Sequence, residues 1–321
     1  MKAVVYENYG PPEGLEVKEI EKPVPIDDEI LIKVHAAAVT PLDWHFMTGT
    51  PFLARIMAGG LFKPKHKVLG TQVSGKVEAV GENVNRFQPG DAVFGRSKNG
   101  GGFAEYVCIS EDEAWPIPDG MSFEEAAAVL FSAITALICL ADLGQLKPGQ
   151  KVLINGASGG VGTLAVPIAK TLGAQVTGVC STRNLDLVQS IGADQVVDYT
   201  AEDFTRNEAR YDLIFDAVAK RSFSDCRRIL SPEGIYVTTA FSPALLLQRQ
   251  RVSMTGSQKM IAMPPKEPKP AIRELFEELL EAGKLKPVID RCYPLREVPE
   301  AFRHYETGHT RGRVVITMVQ A

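Results

Sequence analysis

The chain has 321 residues, of which 45% are hydrophobic and 23% charged, and a formal net charge of −4. That length predicts about two folded domains rather than one, and the composition excludes a disordered or fibrous chain. The mild acidity removes any electrostatic reason to seek nucleic acid or an anionic lipid surface as a partner.

The opening MKAVVYENYG alternates like a strand and lacks the apolar core of a signal peptide. Up to about residue 120 the period stays near two, in EILIKVHAAAV, QVSGKVEAVG, DAVFG and FAEYVCI, with GPPEG, RFQPGD and NGGG as turns between them. A β-rich domain over residues 1–121 is expected. The longest apolar run, Ala126 to Ala141, falls short of a membrane span and is interrupted by Ser132 and Thr135. Ser122 and Glu125 ahead of it have capping-box spacing, which predicts a buried helix. The pattern then changes: KVLING, QVTGVC, QVVDY, YDLIFDAV and GIYVTTA alternate with helical segments. That alternation predicts an α/β domain with a doubly wound parallel sheet over residues 122–265. Beyond MPPKEPKP come the amphipathic AIRELFEELLEAG and the strand-like PVID and RVVITMV, a tail (266–321) expected to complete the first domain. The five cysteines, at 108, 139, 180, 226 and 292, form no CxxC pair and have no histidine in ligand register. This pattern predicts a reducing compartment, hence a cytoplasmic protein, without a metal site.

The run NGASGGVG, residues 155–162, joins the strand KVLIN to the helical GTLAVPIAKTLGA, the context a dinucleotide fingerprint requires. Its loop is Ala157, Ser158, Gly159, Gly160, Val161 and Gly162. Ala157 takes the first glycine place, Gly159 lets backbone approach a pyrophosphate, and Gly162 lets helix pack on strand. Pro167 lies inside that helix and threatens to kink it. About 20 residues on, where an NAD site places a carboxylate for the ribose 2′-hydroxyl, stands CSTRN. Ser181 and Arg183 are donors suited to a 2′-phosphate, so NADP(H) is the expected cofactor. The other reading of Arg183 is an ordinary solvated arginine at a helix start.

Taken with KAVVYENYG, AAAVTPLDWHFMTG, LGTQVSGKVEAVGENVNRFQPGDAVFG, GGGFAEYV, FSAITAL, IGADQVVDY and GHTRGRVVI, these segments cover essentially the full chain. Their combination resembles the medium-chain dehydrogenase/reductase superfamily, and within it the zinc-free quinone oxidoreductase branch, close to the alkenal/enone reductases. The resemblance implies a GroES-like catalytic domain, a Rossmann domain and an active site in the cleft between them. The places of the three catalytic zinc ligands hold Thr40, Thr71 and Phe131, none of which replaces a thiolate or imidazole. The four-cysteine structural zinc lobe is missing from RSKNGGGFAEY. Alcohol oxidation thus loses its Lewis acid, whereas a conjugated acceptor needs less help.

The resemblance also assigns roles. Thr135 is expected at the nicotinamide carboxamide, its alternative being a helix hydroxyl bonded to its own backbone. Tyr199 with Arg183 is expected to flank the adenosine phosphate, Arg311 or Arg313 to close that region, and Ala217 and Phe241 to complete the cofactor contacts. Thr40, Asp43, Gln72 and Thr135 are the candidate catalytic residues, with Asp43 weighted as a structural hydrogen-bond acceptor over an acid. The branch commonly has asparagine and aspartate where Thr40 and Gln72 stand. His45 falls at a proton-relay position, but Leu42 occupies the relay hydroxyl's place. No side chain stands out as proton donor, which leaves solvent. The expected activity is NADPH-dependent reduction of quinones or α,β-unsaturated carbonyls by a monomer or homodimer with no membrane span. The alternative is a non-catalytic NADPH-binding sensor or scaffold.

Overall fold

A computed structural model describes residues 1–57, 60–239, 257–263 and 267–318. They form two compact units, Met1–Phe131 with Pro287–Ala321, and Ser132–Lys286. Both boundaries fall further along the chain than 121 and 265. The physical reason at the first is that Ala127 and Ala128, in the first turns of the helix Phe123–Leu137, are buried against Ala36, Ala38 and Val315 of the first unit.

In the first unit a mixed, mainly antiparallel sheet runs in the order Ile289–Pro294, Arg313–Thr317, Glu29–Ala38, Gln72–Val80, Ala92–Arg96, Ala114–Pro116, with Tyr106–Ser110 also paired to Glu29–Ala38. The tail enters this sheet through Val315 opposite Ala38 and Thr317 opposite Ala36. Ile30, Ile32, Val73, Phe103, Phe302 and Ile316 fill its core. Ile30, Ile32, Val73 and Ile316 come from the sheet's strands, while Phe302 packs onto it from the helix Val298–Glu306 and Phe103 from the loop before Tyr106–Ser110.

The second unit holds a six-stranded parallel sheet in the order Gln195–Asp198, Gln175–Cys180, Lys151–Asn155, Tyr211–Asp216, Leu230–Thr238, Lys259–Ala262. Numbered along the chain, that order is 3-2-1-4-5-6, the doubly wound arrangement whose direction switches beside the first strand. Lys151–Asn155 is that strand, so the glycine loop leaves the sheet at the switch point. Pro167 sits inside the helix Gly162–Thr171 without ending it.

The Ser122–Glu125 capping box forms as expected: Ser122 N donates to Glu125 Oε2 at 2.9 Å and Glu125 N to Ser122 Oγ at 3.2 Å. The apolar run is longer than the sequence reading allows. The helix spans 21 residues, Phe123–Leu143, because its first turn and a π-helical last turn extend the run. It is long and apolar enough to cross a membrane by length and composition alone, and 72% of its most apolar window is buried.

Candidate functional site

In the second unit, the strand Lys151–Asn155 ends at Gly156, whose φ of 85° reverses the chain. A Cβ there would lie 2.5 Å from Val218 Cγ2, so the glycine also permits the close approach of the 217–219 segment. At Gly162 a Cβ would lie 2.1 Å from Gly156 O and 2.7 Å from Ala157 Cα, which is the tight helix-on-loop packing expected of the third glycine. Gly159 differs. A Cβ there would meet nothing nearer than Gly156 O at 3.5 Å among the described residues, so none of them requires a glycine. The backbone N–H groups of Gly160, Val161 and Gly162 find no acceptor among the described residues. Open space over Gly159, together with amides at the start of a ten-residue helix, fits a diphosphate.

A buried polar cluster that sequence reasoning missed holds this loop. Asp216, fully buried at the end of its strand, accepts from Asn155 Nδ2 at 2.9 Å, Tyr236 OH at 2.7 Å, Val218 N at 3.0 Å and Ala219 N at 2.8 Å. Ala217 N donates to Asn155 O at 3.1 Å. The ends of three parallel strands and the turn after Asp216 are thus tied to one carboxylate. Burial and the adjacent Asp216 push the Tyr236 phenol well above its usual range, so it stays a donor. The signal was visible in YDLIFD, where a charged residue closes an otherwise buried strand.

Register places Asp198 opposite Cys180, which brings Ser181, Arg183 and Tyr199 to the same end of the sheet. Tyr199 is 45% exposed and its N–H donates to Cys180 O at 3.0 Å. Asn184, also missed, donates through Nδ2 to Ser158 Oγ at 3.0 Å and Ser181 Oγ at 3.2 Å. One acidic side chain does stand near: Asp198, whose carboxylate accepts from Thr182 Oγ1 at 2.5 Å, Thr200 N at 2.9 Å and Thr200 Oγ1 at 2.6 Å. Those bonds hold its carboxyl below the usual range and occupy both oxygens, which sets it apart from a carboxylate free to take a ribose hydroxyl. Thr135 is buried, and its hydroxyl makes no bond to its own helix among the described residues. Phe241 lies outside the described residues.

In the first unit, Thr40 caps the helix Pro41–Thr48. Asp43 Oδ2 accepts from Thr40 N at 2.9 Å and Thr40 Oγ1 at 2.6 Å, while Oδ1 accepts from Gly70 N at 3.1 Å. Thr71 Oγ1 lies 3.3 Å from Thr40 Oγ1. Two of the three positions that would ligate a catalytic metal are therefore adjacent, but they hold hydroxyls tied to a carboxylate. Phe131, the third, has the Arg313 guanidinium over its ring at 5.1 Å. These residues do not fit Zn²⁺, and among the described residues no three His, Cys, Asp or Glu are grouped to hold a metal. Burial raises the Asp43 carboxyl, an effect its hydrogen-bond donors oppose.

Two expectations need correction here. Arg313 is buried within the first unit rather than presented on its surface. It opens a buried strand of the first unit, is 4% exposed, and donates through Nη1 to Val39 O at 3.5 Å. Desolvation brings its pKa down to about 10, opposed by Tyr305 and Asp43. Arg311, by contrast, is exposed in the turn before that strand. Thr40 is not free to donate to a substrate, because its proton is committed to Asp43. Gln72 keeps more capacity: Nε2 donates to Thr71 O at 3.0 Å, and the buried Oε1 has no partner among the described residues.

The "Alcohol dehydrogenase GroES-like domain" family matches residues 26–119 and the "Zinc-binding dehydrogenase" family residues 191–316. The chain is 34% identical to the NAD(P)H oxidoreductase RTN4IP1, mitochondrial, of Mus musculus, with 99% of this chain and 89% of that protein covered. The chain belongs to the medium-chain dehydrogenase/reductase family. Within it the chain sides with the zinc-free, quinone oxidoreductase-like branch. It is 33% identical to quinone-oxidoreductase QR1, chloroplastic, of Triphysaria versicolor, over 98% of each chain. The solved quinone oxidoreductase of Coxiella burnetii has a TM-score of 0.88 at 29% identity, over 99% of both chains. The Rossmann and GroES-like architecture expected from the sequence is thus the architecture of this medium-chain dehydrogenase/reductase. The zinc of the second family description has no ligand set among Thr40, Thr71 and Phe131.

Proposed function

We propose that this protein is an NADPH-dependent reductase of quinones or α,β-unsaturated carbonyls that works without zinc. The observation that carries the reading is the Thr40–Thr71 hydroxyl pair, 3.3 Å apart at two former metal-ligand positions and anchored on Asp43. A corner built this way cannot polarise an alcohol through a Lewis acid, so the acceptor must already be electrophilic. The bound nicotinamide would supply the hydride. This chain's contribution is to hold the cofactor on the Gly159–Gly162 loop, to offer Ser181 and Arg183 to a 2′-phosphate, and to present the Thr135 hydroxyl for the nicotinamide carboxamide. In the first unit's corner the Gln72 carboxamide has spare hydrogen-bonding capacity, its Oε1 having no partner among the described residues. Relatives whose names are NAD(P)H oxidoreductase and quinone oxidoreductase support the reading. The proposed location is cytoplasmic and reducing, a reading that rests on the spacing of the five cysteines in the sequence.

The test follows NADPH absorbance with a panel of quinones and enones beside saturated ketones and primary alcohols with NADP⁺. Turnover of conjugated acceptors with negligible alcohol oxidation is expected. Robust alcohol oxidation with indifference to every conjugated acceptor would overturn the proposal. Tight NADPH binding without turnover of any acceptor would favour the sensor or scaffold instead.

A further inference from the structure

Asn184 belongs to neither the glycine loop nor the strand end, yet it joins them. It is 4% exposed, and each of its two Nδ2 hydrogens serves a serine, Ser158 Oγ at 3.0 Å in the loop and Ser181 Oγ at 3.2 Å after the strand. A hydroxyl oxygen that accepts from an amide still has its own proton to give. Neither serine hydroxyl has an acceptor among the described residues. The buried Asn184 Oδ1 likewise has no partner among them. A buried acceptor left without a donor is costly, so its retention beside two aimed hydroxyls points to a ligand that completes the set.

We propose that Asn184 is a positioning residue for the cofactor: it fixes both serine hydroxyls as donors, Ser158 toward the diphosphate and Ser181 toward the 2′-phosphate, and so couples recognition of the two anionic groups. The inference rests on the NADPH reading above and adds what sets the serines' polarity. Phosphate oxygens can only accept at neutral pH, so a serine must present its proton rather than its lone pairs to bind one. The amide nitrogen of Asn184 enforces that choice. Oδ1 is left for a donor on the same ligand, such as a ribose hydroxyl.

The chemistry predicts opposite behaviour for two near-isosteric side chains. Asn184→Asp replaces the donor with a second acceptor, so the serine protons turn toward the carboxylate and their lone pairs toward the phosphates. Asn184→Ala removes the constraint and leaves both hydroxyls to rotate. The experiment titrates NADPH and NADH separately into wild type, Asn184→Asp, Asn184→Ala, Ser181→Ala and the Asn184→Ala/Ser181→Ala double variant, at constant salt. Far-UV circular dichroism and melting temperature of the cofactor-free proteins check the fold, and Asn184→Ser takes the place of Asn184→Ala if the latter fails to fold. In the alanine variant the NADPH-over-NADH preference should fall about three- to tenfold, the effect of misaligning a hydrogen bond to a charged group. In the aspartate variant it should fall further. Ser181→Ala should cost less in the Asn184→Ala background than alone, because the two act through one bond. If the Asn184 variants weaken both cofactors alike, or the two substitutions are additive, Asn184 is only structural and the inference is wrong while the NADPH reading stands. If wild type binds NADH as well as NADPH, both fall together, and the wild-type titration alone reveals it.

Discussion

The glycine loop of the second unit and the Thr40–Asp43–Thr71 corner of the first show two ways in which a fold carries chemistry. On the proposed reading the loop holds its ligand chiefly with backbone, so what it must keep is space and φ: Gly156 at 85°, room over Gly159 among the described residues, contact at Gly162. The corner depends on side-chain identity, and there hydroxyls stand where ligands would. Its geometry survives nonetheless, because Asp43 and the helix cap hold Thr40 and the Gly70–Thr71 segment in place without a metal. Backbone recognition persists while side-chain chemistry is exchanged on the same frame.

The corner is the place to break this contrast hardest. Asp43→Ala would leave the N–H groups of Thr40 and Gly70 and the Thr40 hydroxyl buried without their acceptor, at about 1–3 kcal/mol each. A loss of roughly 3–5 kcal/mol in denaturant unfolding is expected, and one below about 1 kcal/mol would show the corner is not held this way. Its pH dependence has a definite sign. Because burial raises the Asp43 carboxyl, the folded chain keeps a proton the unfolded chain has released. This contribution is full below the unfolded value, about pH 4, and is lost as pH rises through the folded value. Asp43→Asn should remove that slope.

The loop gives a paired test of next size. Gly162→Ala forces a Cβ into backbone at Gly156 and Ala157 and should cost about 1–3 kcal/mol of stability. Gly159→Ala, whose Cβ meets only Gly156 O at 3.5 Å among the described residues, should leave the melting temperature unchanged or slightly raised, yet weaken NADPH at least about tenfold by filling ligand space. Equal losses of stability in both would mean the space over Gly159 is not reserved for a ligand. Arg313→Ala should cost about 2–3 kcal/mol, by unpacking Phe131 and Val39, without altering the NADPH-over-NADH preference. A changed preference would return Arg313 to the phosphate. Smallest of all, Asp198→Asn should tighten NADPH a few-fold by removing an exposed negative charge near Ser181, an effect that salt screens and that titrations at two ionic strengths would reveal.

Legibility followed the same division. Glycine spacing and strand–helix alternation are backbone signals with short range in sequence, so the loop, the parallel sheet and the Ser122–Glu125 cap could be read directly. Asn184, Asp216 and Tyr236 could not, because each also has a partner 20 to 61 residues away that only the strand order brings near. Arg313 was misread for a related reason. GHTRGRVVI looks like a basic surface turn, but Arg313 opens the strand Arg313–Thr317 opposite Ile289, a parallel pairing 24 residues apart in sequence that takes it inside. Asp198 sat unremarked in QVVDY because its proximity to Ser181 depends on register between two strands.

The claim that the first unit's corner has exchanged its metal for hydroxyls is tested most directly by elemental analysis of the purified protein. The account predicts zinc far below one equivalent per chain, since Thr40, Thr71 and Phe131 offer no ligand set. One zinc per chain that survives dialysis against a chelator would contradict it.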